Sequence, residues 1–303
     1  MAQVIKMKFA AVDIGGTFIK YALLDEQMQI LDQKQVVTMA LMDAEAFYDY
    51  LCEEMLIDGA DLIGICAPGI FDDQGIMVTA SSGNASIMYQ TDVVQEVKNR
   101  TGLTTYVIND ARAAGLCEWK MGNCRGFDRS ACYLIGTGIG GCLMDKHGLI
   151  RGSHHFSGEF SYMPVWGRDG KVEQLGNHAS MSSLIRAYHA LHPYETVDGE
   201  TICERYLKHE PDAVTCVSHW LQAITMQLIT ITAVYDPGVI CIGGGISRAD
   251  WFLKELAARY QAGCASFISP MLSFHTEIRS CAFYNEANLI GAAIHARREF
   301  YHM

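Results

Sequence analysis

The chain contains three glycine-rich turns, and the first is the segment Asp13-Ile14-Gly15-Gly16-Thr17. It separates two apolar runs, residues 8–13 and 18–24, which have the composition of strands. Glycines in a hairpin let backbone N–H groups approach phosphate oxygens closely, and the hydroxyl of Thr17 adds a donor. Asp13, at the end of a strand, could hold Mg²⁺ through water. A simple Asp/Gly hairpin turn would contain the same residues, so this segment alone leaves both interpretations open.

The second turn is Gly136-Thr137-Gly138-Ile139-Gly140-Gly141, which formally contains the pattern G-x-G-x-x-G. In dinucleotide-binding proteins that pattern opens a helix. Here a strand-like run, residues 142–145, and a tight turn at Lys146-His147-Gly148 follow it. The P-loop pattern G-x-x-x-x-G-K-[ST] does not occur in the chain. The sequence therefore favours a second phosphate-binding hairpin over a Rossmann site or a P-loop.

The third turn, Gly243-Gly244-Gly245, lies between a strand, residues 239–242, and a helix, residues 248–260. Three glycines leave a surface without side chains on which a planar ring could lie, although unusual backbone angles before a helix would also require them. Three such turns, in two similar halves, describe two domains that face a cleft and hold ATP with glycine loops. The candidate nucleotide-binding residues are Asp13, Gly15, Gly16, Thr17, Lys20, Gly136, Thr137, Gly138, Gly140, Gly141, Gly243, Gly244 and Gly245.

The pair Asn109-Asp110 ends a predicted strand, residues 104–108, and begins a predicted helix, residues 111–120. Asp is a good N-cap, a role that stabilises a helix by ~1 kcal/mol. A carboxylate at the carboxyl end of a strand could instead be a general base that takes a proton from an attacking hydroxyl. Because phosphate turns are predicted in the same fold, we favour the base for Asp110, and the two roles can coexist.

A second carboxylate, Glu159, follows the second hairpin in the segment Gly158-Glu159-Phe160. It could accept hydrogen bonds from two sugar hydroxyls, since a carboxylate offers about four lone-pair sites. A solvated turn residue is the alternative interpretation. The chain also has histidines without ligand spacing to any cysteine, which we interpret as surface or core groups. They are His154, His155, His178 and His275.

Composition narrows the class of protein. Half of the residues are apolar, which is enough for a large core, and the eleven cysteines form no C-x-x-C pair and lie mostly in apolar runs. We expect buried thiols in a reducing cytosol.

A net charge of −11 without a basic run argues against a nucleic-acid partner. No uninterrupted apolar stretch approaches ~18 residues, and Met1 to Lys8 do not resemble a signal peptide, so we expect a cytoplasmic protein that does not enter a membrane.

Strand-like and helical runs alternate along the chain, which predicts an α/β fold. The pattern loosens at residues 121–128 and then restarts, which indicates a domain boundary and an internal duplication. The longest helix is expected at residues 212–235. We predict an N-terminal α/β domain over residues 1–120, with the C-terminal helix 285–303 packed back on it, and a larger α/β domain over residues 121–284.

In order and spacing, these segments resemble the ROK family of bacterial sugar kinases. The match is carried by residues 13–17, 108–111, 134–141, 151–152, 158–159 and 236–247, and it covers nearly the whole chain. The resemblance implies a duplicated actin-like ATPase fold, of the ribonuclease H-like type, with two domains around a cleft. It also implies ATP and Mg²⁺ as cofactors and a hexose-like substrate, and we expect a homodimer.

The resemblance further implies that Asp110 is the catalytic aspartate. The residues expected to contact the sugar are Asn84, Asn109, Asp110, Glu159 and Tyr162.

The chain departs from zinc-bearing members of the family, which carry Gly-His followed by C-x-C-G-x-x-G-C. Tyr162 stands at the histidine, Gly176 stands at a family glutamate, and residues 162–177 contain no cysteine. We therefore expect no zinc site. The segment at residues 158–163 matches a zinc-free subset that resembles bacterial β-glucoside kinases. In such an enzyme Tyr162 and Trp166 could offer aromatic faces to a second sugar ring.

The predicted function is therefore ATP-dependent phosphorylation of a sugar hydroxyl, the 6-hydroxyl of a hexose or of a β-glucoside such as cellobiose. Glucokinase and N-acetylmannosamine kinase are alternatives in the same class. A non-catalytic, sugar-responsive regulator is the alternative in another class. The family's repressors carry an N-terminal helix-turn-helix, whereas about seven residues precede the first strand here, so we expect an enzyme.

Overall fold

A computed structural model of the chain describes residues 7–79, 84–167, 170–268 and 276–302. Its strands are β1 (Phe9–Ile14), β2 (Phe18–Leu24), β3 (Ile30–Val37), β4 (Leu62–Ala67), β5 (Thr104–Asn109), β6 (Arg129–Ile135), β7 (Ile139–Asp145), β8 (Gly148–Leu149), β9 (Pro164–Trp166), β10 (Val172–Gln174), β11 (Val239–Gly243) and β12 (Glu277–Ser280). Its α-helices are α1 (Ala44–Glu53), α2 (Val93–Thr101), α3 (Asp110–Met121), α4 (Gly176–Ala179), α5 (Met181–Leu191), α6 (Gly199–Leu207), α7 (Pro211–Tyr235), α8 (Asp250–Phe267) and α9 (Ala287–Phe300). Short 3₁₀ turns occur at Asn84–Met88, Phe160–Tyr162 and Gly245–Arg248.

The chain divides into two compact units. The first unit comprises the chain up to Lys120, the segment Arg151–Phe156 and the chain from Asn285 onward. The second unit comprises Met121–Ile150 and Ser157–Tyr284.

The first unit is built on a five-stranded sheet with the order β3-β2-β1-β4-β5. Strands β1, β2 and β3 form an antiparallel meander, and β4 and β5 run parallel to β1. Strands β1 and β4 are buried along their whole length, and apart from Asp13 neither has a polar side chain except the thiol of Cys66. Helix α9 packs against β1, β4 and β5.

The second unit repeats this plan with the order β12-β11-β6-β7-β8. Strands β6, β7 and β8 are antiparallel, while β11 and β12 run parallel to β6. In both sheets, therefore, the first two neighbouring strand pairs counted from β5 or β12 are parallel, and the next two pairs are antiparallel. The predicted duplication of one α/β plan is confirmed.

Helix α7 is the core helix of the second unit. Its inner positions Val217, Leu221, Ile224 and Leu228 are completely buried, and it packs against α5, α6 and α8. The helix is long and apolar enough to cross a membrane, but just over half of its most apolar stretch is covered within the fold. It begins with Pro211 in its first turn and ends at Asp236, a left-handed residue. The predicted helix at residues 212–235 agrees with these bounds.

The eleven cysteines are free thiols, and all are buried except the half-buried Cys52. This burial agrees with their positions in apolar runs.

Helix α9 approaches its neighbours so closely that two positions accept only glycine. A Cβ atom on Gly291 would overlap the carbonyl oxygen of Ala113 in α3. A Cβ atom on Gly64 in β4 would overlap the carbonyl oxygen of Ala292 in α9. Backbone atoms cannot move aside as a flexible side chain can, so these two glycines fix the position of α9 in the first unit.

We expect Gly291→Ala to lower the free energy of unfolding by about 2 kcal/mol or more, because overpacking outweighs the better helix propensity of alanine. Gly263→Ala, in α8, is the matched control. There the close contact of the new Cβ is with the terminal methyl of Ile229, at 2.6 Å, which can move, and the next atoms lie at an ordinary 3.7 Å. Urea denaturation measures both variants, and equal stabilities would contradict the close approach of α9.

Candidate active site

The acidic part of the candidate site lies at the carboxyl ends of three neighbouring strands in the first unit. In the parallel register Asp13 of β1 pairs with Cys66 of β4, and Ala67 of β4 pairs with Asn109 of β5. Asp110 follows as the first residue of α3. Parallel strands present their carboxyl ends at the same edge of a sheet, which is where α/β folds bind ligands.

The side chain of Asp13 is buried and surrounded by polar groups. Asn288, at the start of α9, donates from Nδ2 to its Oδ1 at 3.1 Å. The Nζ of Lys20 lies 3.4 Å from Oδ2, and the thiol of Cys66 lies 3.5 Å from Oδ1. Burial, reinforced by the charges of Asp13 and Asp110, raises the pKa of that thiol, which therefore stays protonated. No local sequence pattern pointed to Asn288, which lies 275 residues from its partner.

Asn109, rather than Asp110, caps helix α3. Its Oδ1 accepts from the N–H of Arg112 at 3.1 Å, and its Nδ2 donates to the carbonyl of Gly69 at 3.0 Å. The carboxylate of Asp110 accepts from the adjacent N–H of Ala111 at 2.7 Å. The capping role considered for Asp110 is thus taken largely by its neighbour.

The pKa of Asp110 is raised to about 6, mainly by burial. The charge of Asp13 raises it further, while hydrogen bonds from the N–H groups of Ala111 and Asp110 and from Asn109 oppose the increase. A carboxyl with this pKa is ionised at neutral pH and still basic enough to take a proton, as a general base must be.

The first glycine turn is joined to Asn84 by Thr38, a residue that sequence reasoning missed. The Oγ1 of Thr38 donates to the carbonyl of Gly15 at 2.7 Å, and its N–H donates to the carbonyl of Thr17 at 2.9 Å. The amide of Asn84 donates to the carbonyl of Thr38 at 2.7 Å. Asn84, expected to contact sugar, is therefore fixed to the turn expected to contact phosphate.

The glycines of this turn have different surroundings. The N–H of Gly15 donates to the carbonyl of Phe18 at 3.0 Å, and a Cβ there would lie 2.8 Å from that same oxygen. Nothing lies within 4 Å of a Cβ built on Gly16. Gly15 is thus required by the hairpin, and Gly16 leaves open space for a ligand.

In the second unit, the other two glycine turns follow β6 and β11, which are adjacent parallel strands. Gly138 and Gly245 have nothing within 4 Å of a built Cβ, and Gly136 has only one atom, at 3.9 Å. Gly141 and Gly244, by contrast, lie against the ring of Phe160 and the backbone of β6. Beside Gly245 is a pocket of about 620 Å³. Its lining includes Met181, Gly199, Cys203, Ile246, Ala249 and Trp251.

Glu159 lies between two neighbours, Gly158 and Phe160, which are both anchored to the second hairpin. Gly158 has φ +86° and lies so close to the backbone of Cys142 that a Cβ would approach it to 2.7 Å. Phe160 is buried and stacks on Tyr133, with ring centroids 5.9 Å apart. Further along, Tyr162 is 47% exposed.

Trp166 is 75% exposed. It belongs to the hairpin β9–β10, in which it pairs with Val172.

The place expected for a family glutamate is sterically closed. A Cβ on Gly176 would overlap Oγ of Ser161 and would lie 3.0 Å from the carbonyl oxygen of the same residue. Position 176 therefore cannot carry a longer side chain while Ser161 remains in place.

Two of the histidines that we interpreted as surface or core groups contact acids. The Nε2 of His178 lies 2.6 Å from Glu173, and the Nε2 of His155 lies 3.4 Å from Asp73. His154 is exposed, and His275 lies outside the described residues. Within the described ranges, no three His, Cys, Asp or Glu side chains are grouped so that they could hold a metal ion. The absence of zinc stays a prediction.

A model of the ROK family matches residues 9–299. The chain belongs to the ROK family. A protein of Listeria innocua serovar 6a named β-glucoside kinase is 31% identical, over 97% of this chain and 98% of its own length.

Solved structures of the family have the same fold. A ROK family protein from Streptococcus pneumoniae, solved in complex with sucrose, has a TM-score of 0.87 at 24% identity and covers 98% of this chain and 100% of its own. A ROK family glucokinase from Streptomyces griseus, solved with glucose and AMPPNP, has a TM-score of 0.76 at 25% identity and covers 97% and 99%. The predicted actin-like fold is confirmed.

We expect the contact between Gly176 and Ser161 to appear as energetic coupling. Gly176→Ala should lower the free energy of unfolding by about 1–3 kcal/mol because the site is overpacked. Adding Ser161→Gly removes the overlapping hydroxyl and should restore about 1 kcal/mol or more beyond additivity. Ser86→Gly, on an exposed turn of the first unit, is the control partner and should combine additively. Additive behaviour of the Ser161 pair as well would contradict the contact.

Proposed function

We propose that this chain, an ATP-dependent sugar kinase, phosphorylates the primary 6-hydroxyl of a β-glucoside such as cellobiose, with Asp110 as the general base. The observation that carries the catalytic assignment is a carboxylate with a pKa raised to about 6 at the strand ends, one residue after a capping asparagine. Assembly as a homodimer and a cytoplasmic location, both expected from the sequence, belong to the same proposal.

In the proposed reaction Asp110 orients the attacking hydroxyl and accepts its proton as the oxygen bonds to the γ-phosphorus of ATP. The bond from that phosphorus to the β,γ-bridging oxygen breaks at the same step, and ADP leaves. Positioning and electrostatic stabilisation dominate phosphoryl transfer. The open backbone at Gly16, Gly136 and Gly138 suits the phosphate oxygens, and the pocket beside Gly245 has room for the adenine ring. Asn109 and Glu159 would bind the sugar, with Glu159 accepting from two hydroxyls.

Asp13 is the residue that would hold Mg²⁺, through water molecules. A buried carboxylate that already accepts from Asn288 and lies near Lys20 fits this outer-shell role, because Mg²⁺ keeps most of its own water. When bound, Mg²⁺ neutralises charge that develops on the transferring phosphoryl group.

The proposal of a β-glucoside depends on two features of the second unit. The place of a glutamate is closed at Gly176, and Tyr162 stands at the histidine of zinc-bearing members. A site built to bind a hydroxyl rejects analogues that lack it, because its buried polar groups lose their partners. With those groups absent, a substituted anomeric oxygen encounters a smaller penalty. The identity of 31% to a β-glucoside kinase supports the same substrate class.

We expect Asp110→Asn to reduce turnover by about 10²- to 10⁴-fold, because the amide keeps the shape but cannot act as the base. In the wild-type enzyme kcat/KM should fall as the pH drops through about 6, where protonation of Asp110 removes the active form. A coupled ADP-release assay measures both effects.

Asp92→Asn is the matched control for this change. It makes the same substitution at a residue that caps α2 through the N–H of Gln95, and it should keep full turnover. If Asp110→Asn retains more than about a third of wild-type turnover, Asp110 is not the base.

The substrate is tested by kcat/KM for cellobiose, glucose and N-acetylmannosamine under identical conditions. We expect cellobiose to be preferred, because the anomeric end of the site lacks the two polar groups that would pair with a free hydroxyl. A preference of about tenfold or more for either monosaccharide would overturn the β-glucoside assignment and leave the sugar-kinase activity intact.

A further inference from the structure

Arg112 is a buried arginine in the first turn of α3 whose guanidinium binds main chain. It is 5% exposed, and its Nη2 donates to the carbonyl oxygen of His155. Its own N–H donates to the cap residue Asn109 at 3.1 Å. Burying a guanidinium is unfavourable unless it is hydrogen-bonded, so filling space alone would be achieved better by an apolar side chain. Its donors therefore point to a role in holding the segment that it binds.

That segment, Arg151–Phe156, is assigned to the first unit, whereas Met121–Ile150 before it and Ser157–Tyr284 after it belong to the second, and we name it the strap. On its near side β8 is followed by Ile150, whose N–H donates to the carbonyl of Leu143 at 2.9 Å. On its far side Gly158 lies against the backbone of Cys142. The strap is therefore a short segment whose two flanking residues, Ile150 and Gly158, both contact strand β7 of the second unit.

Besides the bond from Arg112, ion pairs join the strap to the first unit. The guanidinium of Arg151 binds Glu299 of α9 and lies 3.9 Å from Asp73, and the ring of His155 lies 3.4 Å from Asp73. Asp73 is 82% exposed, so its contacts are weakened by solvent. The bond from Arg112 is the contact made by a buried charged donor, and such bonds are about twice as strong as neutral ones.

Arg112 binds the strap at a residue with an uncommon backbone conformation. His155 has φ +52°, in the left-handed region that few residues other than glycine adopt, although histidine enters it more often than most. Arg112 donates to the carbonyl of this same residue. Without that bond the strap would relax towards ordinary backbone angles, which would change the direction in which the chain enters Gly158 and Glu159.

We propose that Arg112 is a positioning residue for sugar binding. It holds His155 of the strap, and Glu159 follows four residues after His155. The inference depends on the proposed function in two respects, the assignment of Glu159 to the sugar and the choice of cellobiose as that sugar. Arg112 touches neither reactant in this proposal. It acts through the main chain of His155, while Asn109 holds its own N–H in place.

The test compares Arg112→Met, Arg112→Lys and the control Arg100→Met. Arg100 binds Asp49 and Glu96 in the same unit, so its replacement also removes an arginine with two acidic partners. Dissociation constants for cellobiose and for AMPPNP are measured by calorimetry, which does not require turnover. KM for sugar and for ATP, kcat, and melting temperature are measured beside them.

For Arg112→Met we expect cellobiose binding to weaken by about tenfold or more and nucleotide binding to change by less than about twofold. The acidic limit of kcat/KM should remain near pH 6, because burial, Asp13 and nearby N–H donors set the pKa of Asp110. Arg112→Lys should recover part of the sugar affinity, since an ammonium can still donate to one carbonyl. Arg100→Met should change neither affinity.

Unchanged sugar affinity in Arg112→Met overturns the inference. So does an equal loss of sugar and nucleotide affinity that follows the melting temperature, which would indicate a purely structural role. Should Arg112→Met not fold, Asp73→Asn weakens the strap from its exposed side and is expected to reduce sugar affinity by about twofold. If sugar affinity is unchanged in both Arg112→Lys and Asp73→Asn, the inference is also overturned. A wild-type chain that turns over no sugar refutes the proposed function separately.

Discussion

The buried carboxylate of Asp13 is the interaction on which the first unit depends. A charge this deep in a fold must be matched by hydrogen bonds or by opposite charge, and here the partners come from β2, β4 and α9. Asn288 can reach Asp13 only because α9 lies directly on β4. Glycine at positions 64 and 291 makes that approach possible. The close packing of α9 on the sheet therefore also supplies a hydrogen-bond partner for the carboxylate at the end of β1.

The same logic explains which features were predictable from the sequence. Hairpins and strand ends are local, so β1, β2, β6, β7 and the glycine turns could be located from runs of ten to twenty residues. The long core helix was equally clear because its apolar face repeats over 25 residues. Helices α5 and α6 were missed because they are short and begin at caps, Ser180 and Asp198, within a polar stretch. Helix α8 begins at Asp250 and extends to Phe267, beyond the predicted end at residue 260. Gly263 lies inside the helix, although glycine more often follows a helix end.

The candidate site was predictable in its types of residue but not in their partners. Thr38 and Asn288 contribute through contacts that join distant parts of the chain, and no local pattern indicates such contacts. Nor could the sequence distinguish glycines that face open space, such as Gly16 and Gly245, from those pressed against backbone, such as Gly244. The same limit applied to the pair Asn109-Asp110. Either residue can cap a helix, and only the hydrogen bond from Arg112 shows which one does.

The place of α9 in the first unit has a consequence for the order in which the chain can fold. During synthesis the strands β1, β4 and β5 are complete once residue 109 has emerged, yet the helix that covers them is made almost two hundred residues later. At about 5–20 residues per second, the apolar face of this sheet would wait for roughly 10–40 seconds without its cover. The second unit has all of its sheet and its core helices before α9 exists. The unit that is begun first is therefore finished last, and until then its uncovered face is a surface that a chaperone or a misfolding partner could bind.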